Sequence, residues 1–96
     1  IEPIDGVDVM LERRNKQKLD KTLSSGPGTL SQALGISTKN NGILLNSDDI
    51  WVEDAPSPVR EQDIETTTRI GVDYAGEDAL LPWRFYLKTS QFVSKR

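Results

Sequence analysis

The 96-residue sequence contains no cysteine and no histidine. Those absences exclude a disulfide scaffold, a Cys/His zinc site and any histidine-based triad within the chain. A reducing, cytoplasmic setting fits. No apolar run approaches membrane-spanning length, and no signal-peptide pattern opens the chain, so no membrane partner is expected. Hydrophobic residues make up 35% of the sequence and aromatic residues 6%. With a mean hydropathy of −0.50, the chain has material for one small domain with a limited core.

Acids outnumber bases, and the formal net charge is −3. The distribution is less even than that figure. Arg13, Arg14, Lys16, Lys18 and Lys21 face a single acid, Asp20, and from Arg84 onward there are Arg84, Lys88, Lys95 and Arg96 with no acid at all. Most acids lie between Asp48 and Asp78. Such a bipolar surface can bind a polyanion on one side. The plainer alternative is a solvated helix face and a charged tail.

Ile1 is not an initiator methionine, and the first block begins abruptly, which reads as a piece of a longer protein. Asp5 suits a helix N-cap, and Val7, Met10 and Leu11 follow at helical spacing, giving a helix of about three turns that runs into the basic segment. The second helix signal is sharper. Ser25 or Gly26 can cap, Pro27 fits the first helical position, Leu30, Ala33 and Leu34 form an apolar face, and Gly35 supplies a left-handed stop. Because Gly26 and Gly28 carry no side chains, this N-terminus presents backbone N–H groups and a partial positive charge that can hold a phosphate. The same glycines also suit a plain capped turn.

Asn40-Asn41-Gly42 marks a turn within a polar loop. Ile43–Leu45 and Ile50–Val52 are short strand candidates, paired as a hairpin or left unpaired. The two-proline stretch 54–58 reads as a surface connection rather than a domain boundary. The most informative stretch follows, from Thr66 to Lys88. It predicts a strand over Thr66–Val72 with Gly71 inside it, a polar turn over Asp73–Asp78, and a second strand over Trp83–Leu87 opened by Pro82. A glycine inside a strand marks a bulge or a close approach to the backbone. The first half is thus helical and the second strand-rich, an α+β fold with short helices and a mixed or antiparallel sheet. Trp51, Trp83, Phe85 and Tyr86 are assigned to packing.

Three blocks kept in order and spacing carry a resemblance across nearly the whole chain. They are Ile1-Glu-Pro-Ile-Asp-Gly6, then Ser25-Gly-Pro-Gly-Thr-Leu-Ser-Gln-Ala-Leu-Gly-Ile36, then Arg69-Ile-Gly-Val72 with Ala75-Gly-Glu77, Pro82-Trp-Arg-Phe-Tyr86, Ser90 and Val93-Ser94. Together they resemble the C-terminal part of the alkyladenine (3-methyladenine) DNA glycosylase family. The resemblance implies a domain whose N-terminal portion lies outside residues 1–96. It also implies an enzyme that turns an alkylated or deaminated purine out of duplex DNA and hydrolyses its N-glycosidic bond, without metal and without cutting the strand. The partner implied is damaged duplex DNA, the parent a monomer, and the location the bacterial cytoplasm or nucleoid.

In that family a glutamate within a Glu-x-Glu-Ala-Tyr strand motif is the general base, and no such motif occurs here. Glu2, Glu12, Glu53, Glu61, Glu65 and Glu77 lie in capping, connecting or polar-edge contexts, and none is assigned that role. By resemblance, the backbone carbonyl of Ile70 holds the attacking water. Gly26, Gly28, Thr29, Lys39, Arg69 and Gly71 are the DNA-facing set. The family commonly has lysine where this chain has Thr29, which keeps a hydrogen-bonding hydroxyl but loses a charge; Lys39 or a residue of the Arg13–Lys21 run is the candidate to compensate, and the sequence does not choose between them. A non-catalytic nucleic-acid-binding module is the rival reading, and a structural fragment without activity is the third.

Overall fold

The computed structural model describes residues 1–96. Two compact units form: Ile1–Asp54 together with Gln91–Arg96, and Ala55–Ser90. The first division falls after Asp54, at the start of the two-proline stretch 54–58, whose other residues belong to the second unit.

In the first unit, α1 spans Val7–Arg14 and α2 spans Pro27–Leu34. The N-cap of α1 is Gly6, in the left-handed region at φ 70°, and no side chain caps it, so Asp5 does not play the part its sequence position suggests. The helix lasts eight residues, nearer two turns than three. Asn15 stops it by turning left-handed at φ 52°, one of the few non-glycine side chains that tolerates this. The N–H groups of Asn15 and Lys16 then close on the carbonyls of Glu12 and Leu11 at 3.0 and 2.9 Å.

For α2 the expected signals act as their sequence suggests. Gly26 is the N-cap, Pro27 opens the helix, and Gly35 ends it at φ 69°. Met10 from α1, Ala33 from α2 and Leu23 from the 3-10 turn Lys21–Leu23 form the buried cluster, with Leu11 against it. Leu23 is fully buried, a burial that contributes about 1.5–3 kcal/mol. Leu34, expected on the apolar face, is 43% exposed.

Beyond Gly42 the two strand candidates form no ladder; Trp51 makes a single antiparallel bridge with Asn46, one residue past the first candidate. The Ser47 hydroxyl accepts from the Ile50 N–H at 3.2 Å and donates to the Ile50 carbonyl at 2.9 Å. That local turn takes up backbone groups a ladder would need.

In the second unit, β1 spans Ile64–Thr67 and β2 spans Arg84–Leu87. They pair antiparallel, with Ile64 opposite Leu87 and Thr67 opposite Arg84. The expected strand over Thr66–Val72 is displaced toward the N-terminus. It starts after a turn in which the Arg60 guanidinium grips both Asp63 carboxylate oxygens, at 2.8 and 3.0 Å, and it stops before Arg69. Gly71 lies outside it at φ 73°, a left-handed bend that no strand residue adopts. Val72 is the buried hydrophobic residue of this unit. From Asp73 to Leu80 the chain makes short 3-10 turns, broken at Gly76. At Pro82 a tight turn draws the Trp83 N–H onto the Leu81 carbonyl at 2.9 Å, so β2 begins one residue later than expected. Short helices and a small antiparallel sheet make this an α+β chain.

Candidate nucleic-acid interface

The N-terminus of α2 carries three of the candidate residues, and its donors can be counted. Pro27 has no N–H. The Gly26 N–H goes to the Thr29 hydroxyl at 2.9 Å, and that hydroxyl donates back to the Gly26 carbonyl at 3.0 Å. The N–H groups of Gly28 and Thr29 are left without a partner in the chain. The single hydroxyl hydrogen of Thr29 is therefore spent on the turn, and what this helix end offers an anion is backbone N–H. Gly28 has open space where a Cβ would stand, and Gly26 meets only the Thr29 oxygen at 3.7 Å.

Lys39 sits on a separate capped turn. Ser37 accepts from the Lys39 N–H at 3.4 Å, and the Asn40 side chain accepts from the Ser37 N–H at 3.0 Å. The turn is thereby fixed while the exposed Lys39 ammonium forms no bond within the chain. Next to it the Ile43 N–H closes on the Asn40 carbonyl at 3.1 Å, with Gly42 at φ 80°. The open hollow beside this turn, about 820 Å³ and lined among others by Ser37, Asn41, Ile43 and Ile50, carries no ionisable side chain.

Most of the basic run is hydrogen-bonded within the chain. Arg13 donates to the Ala33 carbonyl at 3.1 Å. Arg14 donates to the carbonyls of Leu23 and Thr22 at 3.1 and 3.3 Å and to the Gln32 side chain at 3.0 Å, and Gln32 donates back to the Arg13 carbonyl at 3.0 Å. Lys16 reaches the Thr22 hydroxyl at 2.7 Å, and Lys21 the Ser94 carbonyl at 3.2 Å. The two arginines and Lys16 staple α1 to α2 and to the turn between them. Lys18 is the base of the run that is exposed and makes no such contact. Asp20, which accepts from both the side chain and the backbone of Thr22 and lies near Lys16, is held below its ordinary carboxylate pKa.

In the second unit, Arg69, Ile70 and Gly71 form an exposed bend just after β1. Arg69 makes no ion pair or hydrogen bond within the chain, and the Ile70 carbonyl accepts none. A Cβ on Gly71 would meet nothing within 4 Å, so positive φ rather than crowding is what calls for glycine there. Tyr86, expected only to pack, has the Arg84 guanidinium 4.7 Å above its ring. Their i, i+2 spacing in a strand puts both on one face, and that periodicity was the available signal. Trp51, Trp83 and Phe85 are 55, 56 and 63% exposed, so within this chain they do not pack as expected.

The glutamates gather into no acid–base pair with these groups. Glu2, Glu12, Glu53, Glu61 and Glu77 are exposed and Glu65 is half-buried 4.0 Å from Lys88. No group of three or more acids is gathered where it could hold a metal ion. No helix is long and apolar enough to cross a membrane.

Comparison with known proteins agrees along the whole length. The family model described as methylpurine-DNA glycosylase matches residues 1–91. A relative from Methanocella arvoryzae is 47% identical over 99% of this chain and 46% of its own length. Relatives from Bacillus cereus strain G9842 and Clostridium perfringens strain SM101 are each 41% identical over 100% of this chain and 51% of their own length. All three bear the name "Putative 3-methyladenine DNA glycosylase". The chain thus spans about half the length of the curated relatives it matches.

Proposed function

The chain belongs to the methylpurine-DNA glycosylase family, and from that membership we propose that it forms the C-terminal part of a monofunctional glycosylase that removes alkylated or deaminated purines from duplex DNA. The observation that carries the reading is the match over residues 1–91, supported by relatives about twice as long. The damaged nucleotide is turned out of the duplex, and water, activated by a carboxylate outside this chain, attacks the sugar carbon of the N-glycosidic bond. The proton passes to that carboxylate, and the base leaves with the bonding electron pair. No covalent bond to the protein forms, so the strand stays intact.

This chain's part is to hold DNA. The unpartnered N–H groups of Gly28 and Thr29, next to Gly26, and the Lys39 ammonium take phosphate oxygens. Arg69 supplies a further cation, the Ile70 carbonyl accepts from the attacking water, and Gly71 sets the bend that presents them. The complete protein acts as a monomer, in the compartment that holds the chromosome, which in a bacterium is the cytoplasm.

The test is a single-turnover assay with the complete protein on duplexes containing hypoxanthine or 3-methyladenine. Release of free base, with strand scission appearing only after alkali, is expected. Scission without alkali would remove the monofunctional reading, and absence of base release on either lesion would remove the glycosylase.

A further inference from the structure

The β1–β2 hairpin has two unlike faces. Residues opposite one another share a face, so Glu65, Thr67, Arg84 and Tyr86 lie on one side and Ile64, Thr66, Phe85 and Leu87 on the other. The first side is polar yet half-buried at all four positions. It is internally satisfied, with Arg84 over Tyr86 and Lys88 near Glu65. The second side is apolar at three of its four positions and more open, with Phe85 63% and Leu87 39% exposed. That is the reverse of the usual arrangement, in which the apolar face of a sheet is the covered one.

The unit has little else to hold it. Val72 is its buried hydrophobic residue, whereas Ile70, Leu80 and Trp83 are 47, 77 and 56% exposed. A sheet of two four-residue strands is marginal by itself, and both its outer edges are unpaired. Sequence of the right amount to cover it exists in the relatives, since this chain accounts for 46 to 51% of their length. Nucleic acid does not suit the face, because it carries no cation.

We propose that the Ile64–Thr66–Phe85–Leu87 face is the docking surface for the other half of the family's domain, the portion of the relatives' length that this chain does not match. This rests on the glycosylase reading only for the identity of the occupant. Packing against that half buries Phe85 and Leu87 and turns the hairpin into part of a larger sheet-based core.

The experiment mixes this chain with the separately produced remaining half of the Methanocella arvoryzae relative and follows size exclusion with light scattering, then titration calorimetry. A 1:1 complex is expected. Phe85→Asp should weaken it at least tenfold. Thr66→Glu, at a position already polar and exposed, should do the same with no effect on the chain's own fold, as read by an unchanged far-UV spectrum. Two chains that elute separately, a complex indifferent to both substitutions, or self-association of this chain that the second half does not displace would each overturn the proposal. Excision is scored on the same samples. A complex that forms without base release removes the glycosylase reading and leaves the docking face, whereas release that survives both substitutions removes the face and leaves the enzyme.

Discussion

The Thr29 hydroxyl is bonded twice to one residue, accepting from the Gly26 N–H at 2.9 Å and donating to the Gly26 carbonyl at 3.0 Å. A side chain three residues into the helix thus caps a glycine that has none of its own. Thr29→Val keeps the shape and removes both bonds, and should cost about 1 kcal/mol, read from urea unfolding followed by far-UV circular dichroism. Thr29→Lys loses the same cap and adds a charge. If the turn faces phosphate, the Thr29→Lys variant of the complete protein should show a log K against log salt slope steeper by about 0.9 for each phosphate newly neutralised, on damaged and undamaged duplex alike. Parallel plots would mean that this turn lies away from DNA.

Glycines 28 and 71 should behave oppositely. Gly28 sits inside α2 with open space at its Cβ position and no positive φ, so Gly28→Ala should be neutral or stabilise by up to about 0.5–1 kcal/mol. A loss of DNA affinity in that same variant would then report contact, not folding. Gly71 also has open space but lies at φ 73°. Gly71→Ala should cost about 1–2 kcal/mol from the backbone alone, and Gly71→Val more. Equal stabilities for the wild type and Gly71→Ala would contradict the left-handed bend.

Arg13 lies so close to Gly35 that a Cβ there would stand 2.8 Å from its guanidinium carbon, and Gly35 is also left-handed at φ 69°. Gly35→Ala therefore carries two costs, strain and displacement of Arg13 from the Ala33 carbonyl. In an Arg13→Ala background only the strain of about 1–2 kcal/mol remains. A double-mutant cycle should show the Gly35→Ala penalty shrinking by about 0.5 kcal/mol or more when Arg13 is absent. Strict additivity would place Arg13 elsewhere.

Much of this fold is written locally, and what is not has a physical reason. Pro27 and Gly35 bound α2 because capping and left-handed termination are decided by one residue each. The strand before Gly71 lies earlier than its sequence suggests. Thr66, Thr68, Ile70 and Val72 alternate as a strand would, while the sign of φ at Gly71 is not visible in its identity. The hydrogen bonding of Arg13 and Arg14 depends on carbonyls at Ala33 and Leu23, further along the chain. Charge counting alone could not separate those bases from Lys18 and Lys39. Exposure of Trp83 and Phe85 was equally out of reach, since aromatic residues in a strand signal burial without naming what buries them.

Asp20 offers a pH-dependent check. Its pKa is lowered by the hydrogen bonds from Thr22, then by Lys16. A carboxylate depressed in the folded state stabilises above its unfolded pKa, and that contribution is lost as pH falls through the folded value. The turn Lys21–Leu23 should therefore hold down through the ordinary carboxylate range and loosen only below it. In a carbon-detected titration Asp20 should have a midpoint below its ordinary value, rising toward it in Thr22→Ala. A wild-type midpoint at the ordinary value would refute the contact.

In the proposed enzyme, residues 1–96 hold DNA while the general base comes from outside them. That division of labour is decided by single-turnover incubation of this chain alone with a hypoxanthine-containing duplex, repeated with the remaining half of the Methanocella arvoryzae relative added. No free base should appear with the chain alone, and time-dependent release should follow once the second half is present. Base release by the chain alone, in proportion to its concentration, would mean that the general base lies within these residues after all.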